Sequence, residues 1–133
     1  MPNSKKINIL YFEDNKTCQI PITKGVPQII GECHITVLSS LYRAKAYLDS
    51  ALIQNYDIVI TDYMFPGVSA KELLSEFEHC GKTVIFHTCI SEKDFCKDCL
   101  DVLGYMPLNF KFVRKATEGY LKTITQLIQN EVA

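Results

Sequence analysis

Five short apolar runs punctuate the chain, and all but one lead into stretches whose apolar positions recur at helical spacing. Ile7-Asn8-Ile9-Leu10-Tyr11-Phe12, His34-Ile35-Thr36-Val37-Leu38, Tyr56-Asp57-Ile58-Val59-Ile60-Thr61, Thr83-Val84-Ile85-Phe86-His87 and Asn109-Phe110-Lys111-Phe112-Val113 read as strands. Residues 41–54 carry Leu41, Ala44, Tyr47 or Leu48, Ala51 and Leu52 on one helical face, with Ser40 placed to cap it. Ser69-Ala70-Lys71-Glu72 has the spacing of a capping box, and Leu73, Leu74 and Phe77 continue it into a helix that stops near Gly81. Ser91-Glu92-Lys93-Asp94 opens another helix, with Phe95, Cys99, Leu100 and Leu103 on its apolar side and Gly104 as its stop. A last helix is expected from an N-cap at Thr117, with Leu121, Ile124, Leu127 or Ile128, and Val132 on one face.

Strands that alternate with helices imply right-handed crossovers and a parallel sheet covered on both faces, a doubly wound α/β architecture. The stretch between Asp14 and His34 breaks the pattern. Pro21, Gly25 and Pro27 fall where a helix is needed, and an interior proline costs about 3 kcal/mol. The expectation is a short, late helix starting near Gly25, with Pro27 in its first turn and residues 28–33 as its body.

The 133 residues suit one domain spanning 1–133. Fourteen basic and 15 acidic residues leave a net charge of −1, which gives no basic face for direct nucleic-acid binding. The basic start Met1-Pro2-Asn3-Ser4-Lys5-Lys6 precedes an apolar run that ends in acids, unlike a signal peptide. No run approaches the roughly 18 apolar residues of a membrane span. A cytoplasmic protein with no membrane contact is expected, its six cysteines reduced.

Candidate chemistry sits at the ends of the apolar runs. The first ends in Glu13-Asp14, the third in Asp62 before Tyr63-Met64-Phe65-Pro66-Gly67, and the fourth in Thr88. Open parallel sheets place ligands outside the carboxyl ends of their strands, so these residues are where a site is expected. Carboxylates about 4 Å apart repel by roughly 4 kcal/mol at an effective dielectric near 20, so three together call for a cation. Oxygen-only ligands favour Mg²⁺ over zinc, and Mg²⁺ commonly takes phosphoryl oxygens as well.

These residues in this order resemble the receiver domain of two-component response regulators, over nearly the whole chain. That family has an acidic pair after strand one, as in Phe12-Glu13-Asp14-Asn15, and an aspartate after strand three before a Pro-Gly turn, as in Asp62 with Pro66-Gly67. It has a Thr or Ser after strand four, matching Thr88, and a lysine after strand five, matching Lys115 in Phe112-Val113-Arg114-Lys115. The resemblance implies a flavodoxin-like five-stranded sheet of order 2-1-3-4-5. It implies Asp62 as phosphoacceptor, Mg²⁺ on Asp14, Asp62 and the Met64 carbonyl with Glu13 acting through water, and Lys115 paired with a phosphoryl oxygen. Thr88 would turn toward the phosphoryl group and let Phe112 rotate inward, repacking the face of the fourth helix, fifth strand and fifth helix.

Partners implied are a histidine kinase or histidine phosphotransfer protein as donor, and a downstream protein or a second copy on the switching face. Such a domain is no enzyme in the ordinary sense, although it catalyses its own phosphorylation and slow dephosphorylation. The alternative reading is a degenerate receiver that binds partners without phosphorylation. Ala116 follows Lys115 where the family has proline after a cis bond, and a cis bond before a non-proline residue costs about 3 kcal/mol. Cys89 is bulkier than the family's common alanine, and the interrupted first helix falls where the family docks its phosphodonor; Met64 and Ile90, apolar at the positions that flank the attacking water, imply instead slow self-dephosphorylation.

Two other classes fit less well. A flavin-binding fold needs a hydroxyl-rich phosphate loop after strand one, and Glu13-Asp14-Asn15-Lys16-Thr17 is acidic. A haloacid-dehalogenase-type phosphatase needs a second aspartate two residues after the nucleophile, and position 64 is methionine. Cys96-Lys97-Asp98-Cys99 lies inside an expected helix rather than at a helix start after a strand, so packing is expected of it rather than redox or zinc chemistry.

Overall fold

The computed structural model describes residues 6–132; all of the basic start but Lys6, namely residues 1–5, lies outside the described residues, as does residue 133. Five strands form the main sheet: β1 (Ile7–Phe12), β2 (Cys33–Leu38), β3 (Ile58–Thr61), β6 (Val84–Thr88) and β7 (Phe110–Arg114). They are parallel throughout, in the order β2-β1-β3-β6-β7, which is the expected 2-1-3-4-5 order when only these five are numbered. The two extra strands, β4 (Met64–Phe65) and β5 (Val68–Ser69), form a small antiparallel hairpin directly after Asp62. Its turn is Pro66-Gly67, with Gly67 at φ 79, where a type II turn calls for glycine.

Alternation along the strands sorts the core into two layers. Leu10, Phe12, Val59, Val84, Phe86 and Phe110 face one side, against helices α3 (Leu74–His79) and α4 (Glu92–Leu103). Ile9, Tyr11, Ile58, Ile60, Ile85 and Val113 face the other, against α1 (Lys16–Ile30) and α5 (Tyr120–Val132). β3 and β6 are buried at every position, as central strands covered on both faces must be. No helix among the described residues is long and apolar enough to cross a membrane.

The first helix corrects the expectation of a late, short one. α1 is a single 15-residue helix that begins at Lys16 and carries both Pro21 and Pro27 inside it. Asn15 starts it, its side-chain oxygen accepting from the backbone of Thr17 at 2.8 Å and Cys18 at 3.2 Å. Two interior prolines cost roughly 6 kcal/mol together. Full burial of Ile22 and Val26 returns about 1.5–3 kcal/mol each, and the cap about 1 kcal/mol more. Gly25 does not begin the helix; a Cβ there would collide with the Leu121 side chain of α5, so it marks where the two helices approach closely.

Other boundaries move for local reasons. The expected helix over 41–54 splits into α2 (Ala44–Leu48) and a 3₁₀ segment, Ala51–Asn55, because Ser50 adopts an extended conformation and caps Leu52 with its own hydroxyl. The break rotates the apolar face, burying Ile53 and exposing Leu52. Ser69 caps as expected, accepting from Lys71 N at 3.1 Å, but the first turn is 3₁₀ (Ala70–Leu73) before α3 begins. In α4 the Ser91 cap and the Gly104 stop, at φ 84, are in place, while Leu100 is exposed. Thr117 does not cap α5, which starts three residues later, after Gly119 at φ 74.

Candidate functional site

Parallel register brings the strand ends together. Phe12 lies beside Thr61, so Glu13, Asp14 and Asp62 leave the sheet at one rim. Asp62 N donates to the Phe12 carbonyl at 3.0 Å, and Glu13 N to that of Leu38 at 3.0 Å, which fixes the backbone on which the carboxylates stand. Thr88 pairs with Arg114, and Lys115 N donates to the Thr88 carbonyl at 2.7 Å, bringing the lysine to the same rim.

The side chains then converge. Lys115 Nζ lies 2.9 Å from Asp62 Oδ2 and 2.8 Å from Glu13 Oε1. The Asp62 contact is a directed hydrogen bond; the Glu13 contact is an ion pair without that directionality. Ligand oxygens of Glu13, Asp14 and Asp62 lie within 4.8 Å of one another, the one such convergence of acidic or thiol and imidazole groups among the described residues. Glu13 is fully buried, Asp62 nearly so, and Asp14 is half-buried, so the cluster opens to solvent through Asp14.

Electrostatics follow from that burial. Desolvation pushes the Glu13 carboxyl up, opposed by its contact with Lys115. Burial alone would pull the Lys115 ammonium down, but Glu13 and Asp62 outweigh it and hold the lysine firmly protonated. Nearby, burial pushes the Tyr11 phenol up, with Glu13 adding to the effect, so it stays neutral. The site is thus one cation among three acids, short of full neutralisation.

Asp62 is further held by its own chain. Its Oδ1 accepts from Tyr63 N at 2.6 Å and more weakly from Met64 N at 3.4 Å. Ala70 N donates to the Tyr63 carbonyl at 3.0 Å. By the alternation of an antiparallel ladder, the Met64 carbonyl therefore faces away from its partner Ser69, while the Met64 side chain is exposed. Thr88 is fully buried, and its hydroxyl has no hydrogen-bond partner within the protein. A hydroxyl so placed costs about 1–3 kcal/mol until it finds one.

All the expected site residues except Phe112 thus meet at the rim. Phe112 is half-buried and stacks on Phe95 of α4, centroids 5.2 Å apart. It borders an open cleft with Glu92, Arg114 and Thr117. Lys115 reaches the site without the family's cis bond, since no peptide bond among the described residues is cis. All six cysteines are free; Cys99 and Cys80 are buried in the core, with burial pushing Cys99 up to about 12.

Several residues of the site escaped the sequence reading. Gln19 of α1 donates to the Glu13 carbonyl at 2.6 Å, a contact hidden by the expectation that this segment is not helical. His87 is buried beside the site, its Nδ1 3.0 Å from the Val113 carbonyl and its ring against Tyr120. Burial lowers its pKa, so it sits neutral, donating from Nδ1. With Lys115, Thr17, Cys18, Pro21 and Tyr120 it lines a cavity of about 160 Å³. A histidine inside an apolar strand was the available signal.

Comparison with solved structures places this arrangement. The chain aligns over 95% of its length with a response regulator receiver domain protein from Clostridium thermocellum, covering 94% of that chain at 22% identity and TM-score 0.69. It aligns over 95% with the receiver domain of a Francisella response regulator, covering 96% of that chain at 16% identity and TM-score 0.70. The chain has the receiver fold. A phosphorylated cyanobacterial phytochrome response regulator shares it at 17% identity and TM-score 0.68, over 95% of this chain and 91% of that one. No protein-family model matches the sequence, and no curated protein matches it. In the receiver fold the acidic rim lies where the sheet order reverses, between β1 and β3.

Proposed function

We propose that this chain is a phosphoacceptor domain of two-component or phosphorelay signalling, with Asp62 as the residue phosphorylated. The observation that carries the reading is Lys115 Nζ seated between the buried carboxylates of Glu13 and Asp62, with Asp14 completing the cluster. The donor is a phosphohistidine on a histidine kinase or phosphotransfer protein, or a small acyl phosphate. An Asp62 oxygen attacks phosphorus, the bond from phosphorus to the donor nitrogen or oxygen breaks, and the leaving group takes the electron pair, the imidazole also taking a proton.

The donor set fits Mg²⁺, being all oxygen and carrying excess negative charge. Asp14, Asp62 and the Met64 carbonyl would hold the ion, Glu13 through water, and it would neutralise charge on the transferring group. Lys115, freed in part from Asp62, would pair with a phosphoryl oxygen. Thr88 would give its unpartnered hydroxyl to another, and that movement opens room for Phe112 to leave its stack on Phe95. The face repacked is that of α4, β7 and α5, where a downstream protein or a second copy would dock. Acceptance is stoichiometric rather than a turnover of substrate.

Intact mass measurement after incubation with acetyl phosphate and Mg²⁺ tests the reading. Gain of one phosphoryl mass, dependent on Mg²⁺ and absent in Asp62→Asn, is the expected result. No gain in the wild type would leave the chain as a phosphorylation-independent interaction module on the receiver fold.

A further inference from the structure

The residue after Asp62 has two ends tied to different elements. Tyr63 is buried, its ring edge-on to Phe86 of β6 at 6.2 Å and to Phe95 of α4 at 5.5 Å. Its backbone N–H donates to Asp62 Oδ1 at 2.6 Å. Its phenol donates to Asp98 Oδ2, on α4, at 2.7 Å. The other Asp98 oxygen lies 3.4 Å from Lys71 Nζ, on the turn that follows the hairpin. Burial and the Asp98 carboxylate both push the phenol's pKa up, so it remains a donor.

Packing alone does not require this hydroxyl. Phenylalanine would fill the same space between Phe86 and Phe95, and a buried phenol is retained at no cost only where it finds a partner. The ring is rigid and wedged, so a shift of the Tyr63 backbone is carried to its oxygen rather than absorbed by rotamer change. That backbone is bonded to the Asp62 carboxylate. Converting the carboxylate to an acyl phosphate removes charge from the acceptor of the Tyr63 N–H and weakens that bond.

We propose that Tyr63 is a positioning residue that latches α4 to the Asp62 carboxylate, so that a change at the carboxylate reaches α4 through the Tyr63–Asp98 hydrogen bond. This route runs through a hydrogen bond rather than through Thr88, and it meets the Phe112 route at Phe95, against which both rings pack. Its use in signalling rests on Asp62 being the phosphoacceptor, but the latch is built into the unmodified chain. It places the regulated element at the middle of α4, where Asp98 lies, rather than at β7.

Hydrogen–deuterium exchange of the α4 amides, residues 92–103, tests it in the full chain, read against the amides of α5, which Tyr63 does not touch. Asp62→Asn alters the carboxylate without any phosphoryl group. It is expected to change α4 exchange by about tenfold, which corresponds to ~1.4 kcal/mol. In the Tyr63→Phe background the same substitution is expected to change it less than about twofold, on the same scale. Asp98→Ala should abolish the response as Tyr63→Phe does, whereas Asp98→Asn, which keeps an acceptor, should retain it. An α4 response to Asp62→Asn that is absent in the wild-type background, or undiminished with Tyr63→Phe, would overturn the proposal. Failure of acetyl phosphate to modify Asp62 would sink the phosphoacceptor reading instead and leave these four comparisons unchanged.

Discussion

Replacing Lys115 by methionine removes a cation that contacts two buried acids while keeping most of the side-chain volume. The Glu13 side chain is 1% exposed and that of Asp62 10%, so water, which reaches the cluster past Asp14, replaces the lost ammonium poorly. With their oxygens up to 4.8 Å apart, two carboxylates repel by roughly 3.5 kcal/mol at an effective dielectric near 20. Breaking a buried pair by deleting one partner costs about 3–5 kcal/mol, which agrees. Lys115→Met is therefore expected to lose roughly 3–4 kcal/mol of unfolding free energy at about pH 8.

The pH dependence has a definite sign. Burial already raises the folded-state pKa of Glu13, and loss of Lys115 raises it further. An acid whose folded pKa lies above its unfolded value binds more protons folded than unfolded, so stability falls as pH rises between the two. The deficit should therefore shrink as pH is lowered from neutrality toward the unfolded value of 4.5, with protonation of Glu13. Mg²⁺ should also shrink it, by neutralising the same cluster. Urea unfolding at about pH 8 and at about pH 5, with and without Mg²⁺, measures all three effects. A variant within about 1 kcal/mol of wild type at about pH 8, insensitive to Mg²⁺, would refute the reasoning, because the site would then hold no uncompensated charge.

Asn15→Ala should cost about 1–2 kcal/mol and Pro27→Ala should stabilise by up to ~3 kcal/mol, both read by thermal melting, since α1 leans on its cap and carries an interior proline. Thr88→Val replaces a buried, unpartnered hydroxyl by a methyl group, so it should be neutral or stabilising by up to about 1 kcal/mol while slowing phosphorylation by acetyl phosphate. Burial lowers the folded pKa of His87 beneath 6.5, so its unfolded form binds the extra proton and stability should fall as pH drops below that value. His87→Asn, which keeps a donor for the Val113 carbonyl, should flatten that fall in denaturation curves. Once formed, the aspartyl phosphate should hydrolyse slowly, and Met64→Asn combined with Ile90→Glu should shorten its half-life in a decay assay.

Much of this was written plainly in the chain. The strand ends that build the rim were legible because β3 and β6 are largely apolar runs, buried on both faces, that end at Asp62 and Thr88. Lys115 was legible only through the resemblance to receiver domains, because β7 alternates buried and exposed positions and ends at the exposed Arg114. Helix α1 was not legible, because the local cost of Pro21 and Pro27 is visible in sequence while the packing of Ile22 and Val26 beneath β1 is not. The break at Ser50 was hidden for the opposite reason: a serine hydroxyl can cap in mid-helix, and periodicity averages over it. Tyr63–Asp98 joins residues 35 apart, a pairing that only the placement of α4 beside the turn after the hairpin creates.

The central claim, that Asp62 accepts a phosphoryl group, is tested most directly by locating the modification. After treatment with acetyl phosphate and Mg²⁺, borohydride reduces an acyl phosphate at an aspartate to homoserine, and peptide mass spectrometry then names the residue. Conversion at Asp62, with Glu13 and Asp14 untouched and no conversion without Mg²⁺, is the predicted result. Conversion at another carboxylate, or none at all in folded protein, would contradict it.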